Sequence, residues 1–276
     1  MALVQRSRMV LVLVAVLGMA GAVLGLAVIG GGTGSGIVVA TGGDADADDD
    51  IACAAPRGGT ERFASTKLIF EYNSTDNDTG VHGLFDTTGW SELCVYDPSG
   101  RQILAVKPQG QLKDLTMGGV FFESREPPDD EISQEEILAK FPEGRYKVLG
   151  TSHEGTRLIG TAWLTHDILA APNVTSPAEG DVVDPTDLVI TWDPVTQTVS
   201  GDAVEISGYE VIVTNEMVED RHGFSQPILS AHVVPSVTSL TIPSEFLEPG
   251  TKYELEVIAL EESGNQTITA LFFETQ

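Results

Sequence analysis

Between Pro185 and Gln276 the sequence alternates apolar and polar residues in several short runs. In Leu188–Trp192 and Tyr209–Val213 every second residue is apolar, which turns one face of each strand inward and the other toward water. Similar runs recur at intervals of roughly 8–12 residues, separated by Pro, Gly and Asn. This pattern predicts an all-β sandwich.

Three motifs in this region carry a family resemblance: Leu188–Pro194, Ile206–Val213 and Leu247–Val257. Together they resemble the fibronectin type III domain, over about a third of the chain. The resemblance implies a β-sandwich that serves as an extracellular interaction module, with Trp192 and Tyr253 in its core. Tyr253 would form a tyrosine corner, in which the phenol hydrogen-bonds the backbone a few residues upstream. The integrin-binding Arg-Gly-Asp tripeptide of the family is absent from the sequence, so that activity is not inferred.

A second β-rich region covers residues 60–170. One short helix is expected at Ser133–Lys140, because Ser133 can cap it together with Glu136 three positions later. Phe141–Tyr146 repeats the Pro-Gly-Tyr pattern of the later region, which favours an immunoglobulin-like sandwich. The candidate strands are Lys67–Tyr72, Val81–Asp86, Leu93–Asp97, Gln102–Lys107, Gly119–Glu123, Arg145–Leu149 and Leu158–Leu164.

The fold class predicted from these patterns is all-β, with two tandem β-sandwiches. The first would cover residues 60–170 and the second, the fibronectin type III domain, residues 171–276. The run Glu71–Gly80, followed by Asp86 and Trp90, also resembles a segment of exported bacterial proteins of unassigned function. That weaker resemblance implies no activity.

The N-terminus carries an export signal. Arg6 and Arg8 precede an uncharged apolar run, Met9–Ile29, of 21 residues. A spanning helix needs about 20 apolar residues, whereas the apolar core of a cleaved signal peptide has only 7–15. The length favours an uncleaved anchor with the arginines on the cytoplasmic side, although cleavage near Val38–Ala40 stays open. Residues 1–36 are therefore a signal peptide or signal-anchor helix with a Gly-rich joint, and either interpretation exports the rest.

An acidic linker is expected over residues 37–59, since Asp44–Asp50 repels itself and has nothing to bury. The chain has two cysteines, Cys53 in this linker and Cys94 in the first folded region. An even, low count in an exported chain favours a disulfide between them.

The net charge of −26 is unevenly distributed. Residues 171–276 hold 18 acidic residues against only Arg221 and Lys252. A surface this acidic repels nucleic acid and anionic lipid headgroups. Neither is expected as a partner, and the membrane would be met only through the N-terminal helix. Solubility in a salty setting accounts for the charge, as would attraction of divalent cations or a basic partner.

One cluster has the chemistry of a cation site: Asp76, Asn77, Asp78 and Asp86. Calcium takes six to eight oxygen ligands, which short Asp/Asn loops supply. The spacing does not fit an EF-hand, so the alternatives are a calcium site at the edge of a sandwich and an ordinary polar turn. Four triplets compatible with N-glycosylation begin at Asn73, Asn77, Asn173 and Asn265.

No catalytic motif is complete, and no other cofactor is indicated. Gly150–Gly155 only approaches the glycine spacing of an esterase elbow around Ser152, and the five histidines lack metal-ligand spacing. We therefore expect no enzyme, but a non-catalytic interaction or spacer protein at the cell surface or secreted.

An extracellular protein or glycan is the expected partner. The loop Met217–Gln226, with Arg221, His222 and Phe224, is the candidate contact region, with a solvated variable loop as the alternative. Two other functions stay open: carbohydrate binding through Trp90 or Trp163, and a calcium-stiffened structural stalk or surface-layer component.

Overall fold

The structure, a computed structural model, describes residue 53, residues 59–218 and residues 227–276. Residues 51–276 form one compact unit. Within the described ranges, no helix has the length and apolar character to cross a bilayer. The predicted N-terminal helix, most of the acidic linker and the loop residues Arg221, His222 and Phe224 lie outside those ranges.

The first half of the described chain contains seven strands and two short helices. The strands are β1 (Thr60–Arg62), β2 (Ser65–Asn73), β3 (Asp78–Tyr96), β4 (Gln102–Val106), β5 (Met117–Glu123), β6 (Gly144–Ser152) and β7 (Arg157–Leu164). The helices are α1 (Gly110–Leu115) and α2 (Gln134–Lys140). Ser133 caps α2 and forms the predicted capping box with Glu136.

Strand β3 determines the shape of this half. Its first part pairs with β2 and β5, and its second part pairs with β4 and β6. The register slips between Asp86 and Trp90, where the two parts meet. The sequence predicted two separate strands here, whereas the structure has one continuous strand with an irregularity. A strand disrupted in this way bends, so its two parts enclose a shared apolar cluster.

Aromatic rings fill that cluster. Trp90, Phe70, Phe85 and Tyr146 are fully buried in it. The Trp90 indole Nε1–H donates to the Gly118 carbonyl at 3.0 Å. The Tyr146 hydroxyl donates to the carbonyl of Pro142 at 3.0 Å, so the Pro-Gly-Tyr pattern of the first half fixes a tyrosine to the backbone as the sequence suggested.

The second half contains eight strands. They are β8 (Val174–Ser176), β9 (Val182–Val183), β10 (Val189–Trp192), β11 (Ile206–Asn215), β12 (Ile228–Val233), β13 (Ser239–Thr241), β14 (Lys252–Glu261) and β15 (Gln266–Thr275). One layer is ordered β12-β11-β14-β15, and the other is ordered β13-β10-β8. The prediction of an all-β fold with sandwich-like sheets is confirmed.

Trp192 and Tyr253 form the centre of the second core, as the resemblance implied. Trp192 is 3% exposed and meets the Tyr209 ring edge-on, with centroids 5.3 Å apart. The Tyr209 hydroxyl accepts from the Val195 amide at 2.8 Å. The Tyr253 hydroxyl accepts from the Glu248 amide at 2.7 Å, which is the expected tyrosine corner.

The two halves share one sheet. Strand β15 pairs in parallel with β2, with Gln266 opposite Glu71 and Ile268 opposite Asn73. This pairing joins the layer of the second half to the strands of the first, so that twelve strands belong to a single hydrogen-bonded sheet. The chain passes from the first apolar cluster at Ile168 to the second at Leu169.

Asn265 holds the junction at the start of β15. Its side chain is 1% exposed. The Oδ1 atom accepts from the Phe70 amide at 2.9 Å, and Nδ2 donates to the carbonyl and the hydroxyl of Thr165, each at 3.0 Å. Asn265 was a candidate glycosylation acceptor, but a buried and fully bonded amide leaves no room for a glycan, so that possibility is excluded in the folded protein.

Hydroxyl groups secure the rest of the junction. Thr267 and Thr269 donate to the carbonyls of Leu169 and Pro172 at 2.9 and 2.8 Å, which ties the connecting segment to β15. The Thr75 hydroxyl accepts from the Ala270 amide at 2.9 Å. These hydroxyl groups thus have hydrogen-bond partners at the boundary, as is usual for buried polar groups.

We expect Asn265→Ala to lower the free energy of unfolding by about 2–4 kcal/mol. The substitution leaves the buried Phe70 amide and Thr165 carbonyl without partners, and each orphaned group costs about 1–3 kcal/mol. Urea denaturation followed by tryptophan fluorescence measures the change. Asn173→Ala is the control, since Asn173 is exposed and its side chain bonds only Asp193. Equal stability of the two variants would contradict the role of Asn265.

Candidate functional site

The predicted calcium ligands do not meet in the structure. Asp76 and Asn77 lie in the turn after β2, and Asp78 opens β3. Asp86 lies eight residues farther along the same strand, which is about 26 Å away at 3.3 Å per residue. One ion cannot reach both ends of that segment, so Asp86 is removed from the set.

The turn itself is held by its own side chains. The Asn73 amide donates to the Asp76 carboxylate at 3.2 Å, and the Tyr72 hydroxyl donates to Asn77 Oδ1 at 3.2 Å. Asn77 has φ of +56°, a conformation that asparagine tolerates better than most residues. These bonds fit the alternative of an ordinary polar turn, and calcium binding by Asp76, Asn77 and Asp78 stays a prediction.

The other candidates are placed as follows. Cys53 and Cys94 are joined by a disulfide that attaches the linker to β3. Ser152 is 4% exposed, and its hydroxyl accepts from the Thr156 amide at 3.0 Å inside a tight hairpin, so it serves the turn. Trp90 is buried and Trp163 is 58% exposed, so the two rings cannot form one binding platform.

The residues with the chemistry of a site are Glu71, His82 and Glu126, a set that sequence reasoning missed. They lie on the outer face of β2 and β3 and in the segment after β5. The His82 Nε2 atom is 2.9 Å from a Glu126 oxygen, and Nδ1 is 3.6 Å from a Glu71 oxygen. The ring is 7% exposed. We call these three residues the carboxylate–histidine cluster.

Strand register brings the cluster together. Gly80 on β3 is opposite Glu71 on β2, and His82 on β3 is opposite Ile69 on β2. Glu71, Gly80 and His82 therefore lie on the same face of the sheet. A Cβ atom at Gly80 would lie 2.4 Å from the Glu126 carboxylate. The absence of a side chain at Gly80 leaves room for Glu126 to lie over the strand and reach His82.

The pKa values of the cluster shift in linked directions. Burial raises the pKa of Glu71 to about 7, although the nearby His82 opposes the shift. Burial lowers the pKa of His82, but its hydrogen bond to Glu126 and the surrounding carboxylates outweigh that effect, and the net shift is upward. The cluster therefore favours a protonated imidazole that is hydrogen-bonded to Glu126, beside a Glu71 carboxyl group that keeps its own proton up to about pH 7.

The same three residues bring one atom each to within 4.8 Å of the others, so they are also candidate metal ligands. However, the two carboxylates approach opposite nitrogens of the ring. An ion bound at Nε2 would take Glu126 as a second ligand and leave Glu71 to orient the ring through Nδ1. The geometry fits a proton between these groups better than a shared metal ion.

A row of carboxylates continues this face across the junction. Burial, with Glu254 and Glu71 as the next causes, raises the pKa of Glu256 on β14 to about 8. Burial and Glu216 raise the pKa of Glu254 to about 7. Glu71 and Asp76 of the first half thus contribute to the raised pKa values of Glu256 and Glu254 in the second half.

We expect the protein to lose stability as the pH rises from 5 to 8. In the unfolded chain Glu71 and Glu256 release their protons near pH 4.5, whereas the folded state retains them up to about 7 and 8. The folded state binds more protons than the unfolded chain in this range. The stability that Glu71 and Glu256 contribute is therefore fully present below pH 4.5, and it is lost as the pH rises through the folded pKa values. His82, with its raised pKa, acts in the same direction.

Denaturation midpoints at pH 5 and 8 measure this dependence. We expect Glu256→Gln to reduce the difference in the free energy of unfolding between pH 5 and pH 8 by more than about 1.4 kcal/mol, the equivalent of one pKa unit. Glu245→Gln, at an exposed position of the same half, is the control. Stability that rises between pH 5 and 8 would contradict the assignment.

Comparisons with known proteins agree with the second half of the fold. The family model described as the fibronectin type III domain matches residues 176–272. No curated protein matches the chain.

Two solved structures are similar. The crystal structure of chicken CNTN1 FN1-FN3 domains has 10% identity and a TM-score of 0.32, with 78% of this chain and 65% of that chain covered. The solution structure of the third fibronectin III domain of human KIAA0343 protein has 23% identity and a TM-score of 0.29, with 40% of this chain and 85% of that chain covered. Both TM-scores are below 0.5, and we draw no functional conclusion from either likeness. The family match, together with the Trp192 core and the Tyr253 corner, identifies residues 176–272 as a fibronectin type III domain.

Proposed function

We propose that the chain is a non-catalytic interaction and spacer protein outside the cell, in which residues 59–218 and 227–276 act as one rigid unit. Fibronectin type III domains typically serve as interaction or spacer modules. The observation that carries the proposal is the sheet shared through β2 and β15. A shared sheet fixes the angle between the two halves, and a surface on either half is then held at a fixed orientation.

Rigidity distinguishes this junction from an ordinary linker. Tandem domains usually meet through small polar interfaces and move relative to one another. Here strand pairing continues across the boundary, and Asn265 and Thr267 bond the connecting segment directly. Bending at the boundary would break these buried hydrogen bonds together, so the two halves are expected to move as one body.

A non-catalytic role agrees with the small size of the hollow that the described residues form. A hollow in the second half, lined by residues that include Ala170, Asn173 and Asp193, has a volume of about 140 Å³. Pockets that enclose small ligands usually measure about 300–1,000 Å³.

The partner is an extracellular protein or a glycan. Fibronectin type III domains are typical of extracellular proteins, and the predicted N-terminal segment would export the chain. Contact through Arg221, His222 and Phe224 stays a prediction, as does the N-terminal anchor. No observation favours the calcium-stiffened stalk, because the calcium ligands that remain possible all lie in the single turn after β2. For the glycan alternative, Trp163 is the one of the two predicted tryptophans that is exposed.

We expect nuclear spin relaxation of backbone amides to give one rotational correlation time for both halves. Asn265→Ala should separate the values for residues 60–164 from those for residues 174–276, because it removes the central bonds of the junction. Asn173→Ala should leave one common value. Two different correlation times in the unmodified protein would contradict the proposed rigid unit.

A further inference from the structure

Positive charge gathers on one face of an otherwise acidic protein. The outer face of β1, β7 and β6 presents four exposed bases and one exposed aromatic ring: Arg62, Arg145, Lys147, Arg157 and Trp163. The chain has only 15 bases against 41 acids, so four on one small sheet face is a marked concentration. We call these five residues the basic track.

Strand register places the basic track on one side of the sheet. Trp163 on β7 is directly opposite Arg145 on β6, and Lys147 is opposite Thr161. Arg62 on β1 is paired with Ile159, on the other flank of β7. The residues that alternate with these along β7, such as Leu158 and Ala162, are buried in the first core. The track therefore points to solvent.

The bases of the track are available to a ligand. Among the described residues, none of Arg62, Arg145, Lys147 and Arg157 forms an ion pair. The acidic residue of the neighbouring strand on this face, Glu92, is 8% exposed and lies 3.6 Å from the Lys107 ammonium. Glu92 therefore pairs with Lys107 rather than with a base of the track.

The track is linear. From Trp163 to Arg157 it follows β7 over six residues, about 20 Å at 3.3 Å per residue. Arg145 and Lys147 line one side of that path, and Arg62 lines the other. An extended chain that lay along β7 would meet bases on both flanks and an indole ring at one end.

We propose that the basic track binds an acidic polysaccharide, with Trp163 stacked on a sugar ring and the flanking bases paired with its carboxylates. Arginine presents a planar set of donors that matches a carboxylate, and charge complementarity selects an anionic chain. This inference names a partner class for the recognition role proposed above and rests on it.

A linear polysaccharide fits these observations better than a folded partner. The track is an open sheet face, and its charges are arranged along one strand. An acidic protein, including the acidic half of a second copy, would present a compact surface rather than an extended chain. Self-association is therefore an outcome of the test that would oppose the proposal.

Isothermal titration of residues 51–276 with polygalacturonate, neutral dextran and polyglutamate tests it. We expect the tightest binding with polygalacturonate, weaker binding with polyglutamate, which has charges but no sugar rings, and none with dextran. Trp163→Ala should weaken polygalacturonate binding at least tenfold, and Trp163→Phe should restore most of it. Arg145→Ala should also reduce the salt dependence of binding, since one ionic contact fewer releases fewer counterions.

Lys252→Ala is the matched control, because it removes one positive charge from the other half of the protein. Equal binding of polyglutamate and polygalacturonate, an equal loss in Lys252→Ala, or no binding at all would overturn the inference. A dimer seen by sedimentation velocity and abolished by Trp163→Ala would overturn it in favour of self-association. If the halves share one correlation time but no polysaccharide binds, only this inference fails; if they tumble separately, the proposed function fails.

Discussion

The buried side chain of Asn265 is the interaction on which the arrangement of the molecule depends. Its carbonyl oxygen bonds the backbone of β2, and its amide nitrogen bonds the segment that leaves β7. A buried amide without partners would cost several kcal/mol, so this side chain is stable only where both halves approach it together. It selects one relative position of the halves out of the many that a flexible connection would allow.

Pairing of β15 with β2 also solves a problem that each half would have alone. An edge strand leaves a row of backbone donors and acceptors open to other chains. The start of β15 and the end of β2 cover one another over Gln266–Ile268 and Glu71–Asn73. The same pairing places Glu71 and Glu256 on one face, so the linked pKa shifts on that face follow from the junction.

Local pattern predicted much of this fold, and non-local pairing explains what it missed. The alternation around Trp192, the corner at Tyr253 and the capping box at Ser133 involve residues close in sequence, and each is found in the structure. A period of two assigns residues to faces but does not name the neighbouring strand. The β2–β15 pair joins residues 195 positions apart, and the sequence carries no signal for it.

The candidate site was missed for the same reason. His82 was one of five scattered histidines in the sequence, and its partners become visible only when β2 and β3 are aligned and Gly80 admits Glu126. The predicted calcium set failed because residues close in sequence on an extended strand, such as Asp78 and Asp86, are far apart in space. Charge was misleading in another way, since the overall excess of acid concealed the basic track.

Native-state hydrogen exchange of the Phe70 amide tests the central claim most directly, because that proton is donated to Asn265 across the junction. If the halves form one body, the amide should open only with global unfolding, with the same free energy as core amides such as those of Val148 and Val257. A Phe70 amide that opens at a much lower free energy than both cores would show that the halves separate while folded, and would contradict the shared sheet as the basis of the structure.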